Sequence, residues 1–93
     1  MIAYAEAEAA VREVLEPSWA DGTFWLDNAL IVEDAELFYF RVGPREWLVE
    51  GDVSRARYGG GVAAVVKATG EVIWVPEVRV ALRHRTLRYR KNR

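Results

Sequence analysis

The chain has 93 residues, a net charge of −1, an apolar share of 52% and no cysteine. That length predicts one domain spanning 1–93, and the apolar share suffices for a core and argues against disorder. Without cysteine there is no disulfide framework and no thiolate metal site. The first fifteen residues carry Glu6, Glu8 and Glu13 among alanines, unlike a signal peptide, and no run approaches the ~20 apolar residues of a membrane span, so a cytoplasmic location is expected. The near-neutral total conceals a polarised layout. Residues 1–78 hold all 14 acidic side chains and 6 of the 13 Lys and Arg, a net −8; the basic segment 79–93 holds seven cations and no acid. That segment can fold back onto the acidic body, project as a basic arm, dock an acidic partner, or be a solvated terminus.

In chain order, residues 2–16 predict an amphipathic helix, with Tyr4, Ala7, Val11, Val14 and Leu15 at helical spacing and Pro17 as the stop. Residues 23–33 follow as one bulged strand or two short ones, bounded by Asp21-Gly22 and interrupted at Asp27-Asn28. ELFYFRV (36–42) and REWLVE (45–50) predict a hairpin about Gly43-Pro44. After Gly59-Gly60-Gly61, VAAVVK (62–67) reads as a buried strand, and Thr69-Gly70 turns it into EVIWV (71–75). The glycines 59–61 and Gly70 are assigned structural roles. Beyond Pro76, the residues Val78, Ala81 and Leu82 favour a short helix, while Val78, Val80 and Leu82 alternate as an edge strand would. The last residues carry few apolar groups, so truncation after Arg85 is expected to be tolerated. The fold class expected is α+β, an N-terminal helix packed on a four- to five-stranded antiparallel meander.

No catalytic, cofactor-binding or metal-ligating residue is assigned. His84 is the only histidine and lies between Arg83 and Arg85, and Ser18 and Ser54 are the only serines, with no partner motif near either. The triple glycine is followed by neither Lys-Ser nor Lys-Thr, so it does not predict a phosphate loop. A nucleic-acid role would rest on the basic tail and Tyr89 alone, against an acidic body. Glu33, Asp34 and Glu36 cluster at an expected turn. They read as a solvated turn or as an acidic docking face, joined by Glu46, Glu50 and Asp52 and with Trp47 as an aromatic anchor beside it.

The stretch GGGVAAVVKATGEV (59–72) resembles, without a gap, the signature of the immunity protein 35 family, roughly G-N-G-P-(apolar)₂-V-D-(basic)-x-T-G-E-(apolar). LFYF (37–40) and WLVEGD (47–52) resemble the family's aromatic strand and its aromatic-Leu-x-x-Gly-Asp, in the same order, so the resemblance covers about residues 2–76. Gly60, Val62 and Val66 stand where Asn, Pro and Asp are usual, and Glu36-Leu37-Phe38 replaces the usual Gly-Trp. The resemblance implies a divergent, non-enzymatic, bacterial cytoplasmic immunity protein. It would neutralise a cognate toxin, often of a papain-like peptidase type, by steric occlusion, without cofactor, nucleic acid or membrane. The alternative is a chaperone-like or general protein-interaction module using aromatics such as Trp19, Trp25 or Trp47.

Overall fold

A computed structural model describes residues 1–55, 61–83 and 85–92. It contains α1 (Tyr4–Leu15), β1 (Phe24–Glu33), β2 (Leu37–Pro44), α2 (Arg45–Leu48), a 3-10 turn (Val53–Arg55), β3 (Gly61–Val66), β4 (Val72–Pro76), α3 (Glu77–Leu82) and β5 (Arg88–Lys91). The strands form one antiparallel sheet in the order β4-β3-β2-β1-β5. The first four are a meander; α3 and the segment after it carry the chain to the far edge, where β5 pairs with β1. The fold is the α+β class expected.

Alternation along the strands divides the apolar residues between two faces. Phe24, Leu26, Ile31, Phe38, Phe40, Ala63 and Val65 face α1, whose Ala7 and Val11 are wholly buried against them. Alanine at position 7 lets the helix approach closely, and Tyr4 stacks on Phe40 and meets Phe38 edge-on. The helix lacks a side-chain N-cap, since Ala3 occupies that position, but the Glu6 carboxylate accepts the Ala3 N–H at 3.3 Å. The second face carries Leu37, Tyr39, Ala64 and Val75, packed by Val80 of α3 and by Leu87.

Residues 24–33 are one strand. Its register shifts between Asp27 and Val32, where the Asp27 carboxylate accepts the Ala29 N–H at 3.1 Å and the Asn92 amide donates to the Asn28 carbonyl at 2.9 Å. The turn at Gly70 is as expected: its φ of +80° is the left-handed conformation that glycine adopts freely, and its N–H bonds the Val66 carbonyl at 2.7 Å. Gly61 opens β3 opposite Pro76. Gly59, Gly60 and His84 lie outside the described residues.

Two expectations are corrected. Residues 45–50 are not a strand and there is no hairpin at Gly43-Pro44. Pro44 ends β2, and Arg45–Leu48 turn as α2, anchored when the Arg45 N–H bonds the Thr23 carbonyl at 2.7 Å and Glu46 takes both the N–H and hydroxyl of Thr23 at 3.0 and 2.9 Å. The true hairpin joins β1 to β2 through residues 34–36. Past Pro76 the chain is the short helix, Glu77–Leu82, and not an edge strand over Val78–Leu82; the edge strand comes later, at Arg88–Lys91, where sequence patterning did not place one.

Candidate functional site

The β1–β2 turn brings Glu33, Asp34 and Glu36 together, but their charges are not equally available. Asp34 is buried, and its Oδ1 accepts the N–H groups of Glu36 and Leu37, both at 2.8 Å. Its Oδ2 accepts the Tyr39 hydroxyl at 2.6 Å, with the Arg83 guanidinium 3.9 Å away. Burial pushes the Asp34 pKa up, yet those hydrogen bonds and Arg83 outweigh it and hold the carboxyl below its ordinary value. Tyr39, buried and donating to Asp34, is pushed up to about 12 and stays a donor.

Glu33 lies between two cations. Lys67 Nζ donates to its Oε1 at 2.7 Å, and Arg90 Nε to its Oε2 at 2.9 Å. The bond from Lys67 is the main cause of a lowered Glu33 pKa, against burial and with Arg90 assisting. Lys67 is itself buried, donates also to the Asp34 carbonyl at 2.6 Å, and sits 4.7 Å over the Phe38 ring. The basic segment thus folds back onto the acidic body through Arg83 and Arg90. Glu36 alone of the three is exposed, and its side chain has no partner among the described residues.

Trp47 is not beside this cluster. It lies on α2, which follows the Pro44 end of β2, and Pro44 pairs with Phe24, whereas Glu33 pairs with Phe38. The length of β1 therefore separates Trp47 from the turn by about 25–30 Å. Glu46, Glu50 and Asp52 belong to the Trp47 end as well. The acidic residues and Trp47 do not compose one docking face, because the hairpin that would have joined them is absent.

A surface that sequence patterning did not single out lies on the second face of the sheet. α3 and Leu87 cover part of that face. Toward β1 and β5, Trp25, Leu30 and Tyr89 keep 38%, 47% and 59% of their surface exposed. Val32 pairs with Tyr89 on one side and with Tyr39 on the other, and Asp27 pairs with Arg41. A shallow cleft of about 260 Å³ runs among Asp27, Leu30, Val32, Tyr39 and Arg41. The Arg45 guanidinium lies 5.5 Å above Trp25, and Arg41 stands 4.0 Å from Asp27. Trp25 was visible in the sequence as an aromatic in a strand. Tyr89 was not, since its position depends on the pairing of β5. Trp19 is half-buried edge-on to Phe24, and its indole N–H donates to the Asp21 carbonyl.

Among the described residues no three His, Cys, Asp or Glu side chains are grouped to hold a metal ion, and no helix is long and apolar enough to cross a membrane. Comparison with protein-family models, with curated proteins and with solved structures returns no match.

Proposed function

We propose that this chain is a non-catalytic protein-binding domain that neutralises a cognate bacterial toxin by covering it, the role implied by its resemblance to the immunity protein 35 family. The observation that supports protein binding is the open strip on the second face, where Trp25, Leu30 and Tyr89 stand exposed around a shallow cleft. Exposed aromatic side chains beside arginines, here Arg41 in the cleft and Arg45 over Trp25, are groups enriched in recognition surfaces. A rigid sheet presents them with little ordering left to occur on binding. The acidic turn enters this reading only through Glu36, because Glu33 and Asp34 are bound internally.

The test is co-expression with the toxin encoded beside it. The wild-type chain should restore growth, and Leu30→Asp with Tyr89→Asp should abolish rescue while leaving the melting temperature within a few degrees. Full rescue by that double variant removes the strip from the reading. Absence of any complex with the neighbouring gene product, together with suppression of aggregation of unrelated unfolded proteins, favours the chaperone-like alternative.

A further inference from the structure

Between the β1–β2 turn and residues 85–88 lies a second cleft, of about 490 Å³, walled by Glu33, Asp34, Lys67, Arg85, Thr86 and Arg88. Its carboxylates are already compensated: Glu33 by Lys67 and Arg90, and Asp34 by Tyr39, two backbone N–H groups and Arg83. Neither has an unmet need for a cation from solution. Arg85 and Arg88 differ. Both are exposed on the cleft wall, and neither side chain has an ion pair or hydrogen bond among the described residues.

The balance of charge follows. Lys67, Arg83, Arg85, Arg88 and Arg90 surround the two carboxylates, leaving three positive charges in excess, or two when Glu36 on the adjoining rim is counted. The volume exceeds what one oxyanion fills and falls in the range of small-ligand sites. Guanidinium groups bind phosphate oxygens in pairs of parallel hydrogen bonds, and two on one wall suit two linked phosphates. Among the described residues that line the cleft none is aromatic, and the guanidinium groups are its main recognition elements for a phosphate ligand.

We propose that this cleft binds a small polyanion of linked phosphate groups, with Arg85 and Arg88 as its principal ligands. The site is separate from the open strip and independent of the toxin reading.

The experiment titrates the full chain with inorganic pyrophosphate at constant ionic strength, followed by calorimetry and amide chemical shifts. Saturable binding is expected, with shifts concentrated in residues 33–36 and 85–88. Arg85→Gln with Arg88→Gln should weaken it roughly tenfold or more, since two charge-assisted contacts are lost. Arg79→Gln with Lys91→Gln removes the same charge from exposed positions that do not line the cleft and should leave the affinity within about twofold. The proposal is overturned by an absence of saturation at about 10 mM, by equal weakening in the two double variants, or by shifts mapping elsewhere. It is equally overturned if an aspartate-rich peptide binds at residues 85–88 while pyrophosphate does not, which would make the cleft a protein-docking site.

Discussion

Lys67→Met tests the network that ties the two ends of the chain together. The substitution keeps the length and apolar stem of the side chain and removes only the ammonium. Lost with it are the bonds to Glu33 Oε1 at 2.7 Å and to the Asp34 carbonyl at 2.6 Å, and the contact over Phe38. Removing one partner of a fully buried ion pair costs about 3–5 kcal/mol. Here Glu33 keeps Arg90 and remains 17% exposed at its side chain, so a loss of about 2–3 kcal/mol is expected. For a domain of this size that lowers the melting temperature by roughly 10–20 °C. Chemical denaturation of both proteins gives the free energies, and a cycle with Glu33→Gln isolates the pair, whose coupling should be about 1 kcal/mol. A Lys67→Met protein as stable as the wild type would refute the reasoning. The desolvation of the buried ammonium would then equal what its bonds return, and the network would fix geometry without adding stability.

Truncation after Arg85 removes β5, Leu87 and the Arg90–Glu33 bond, so it should cost about 3 kcal/mol or more, reversing the tolerance expected from the sequence; a truncated chain with unchanged unfolding midpoint would refute this. Gly70→Ala places a side chain at φ +80° in otherwise open space, with Ile2 atoms 3.9 Å from the new Cβ, and should lower stability by about 1 kcal/mol in thermal melts. Glu33 and Asp34 titrate in the folded protein below their ordinary values of 4.5 and 3.8, so their contribution is complete above those values and is lost as pH falls below them. Stability measured between pH 6 and pH 2.5 should therefore decline most steeply below about pH 4.5, and Lys67→Met should flatten that decline.

Local pattern alone determined much of this protein. The Ala/Val periodicity and Pro17 gave α1, the short continuous apolar runs LFYF and VAAVV gave two central strands, and Thr69-Gly70 gave the turn between β3 and β4. Each of these elements carries its own apolar pattern or backbone requirement within a few residues, so no distant partner is needed to recognise it. The strand expected over REWLVE (45–50) failed because six residues with one short apolar run, Trp47–Val49, fit strand and helix alike. Thr23, twenty-three positions before Glu46, supplies the hydrogen bonds that anchor the helical turn. Arg88–Lys91 carry no apolar alternation, and all four residues are exposed. They become a strand only because β1 offers an unpaired edge and Glu33 offers Arg90 a carboxylate. The same long-range step turned Glu33 and Asp34 from a presumed acidic surface into the anchor of the basic segment. Charge in a sequence is counted residue by residue, but its compensation depends on which side chains folding brings within ~3 Å, and here those partners lie 34 and 57 residues away.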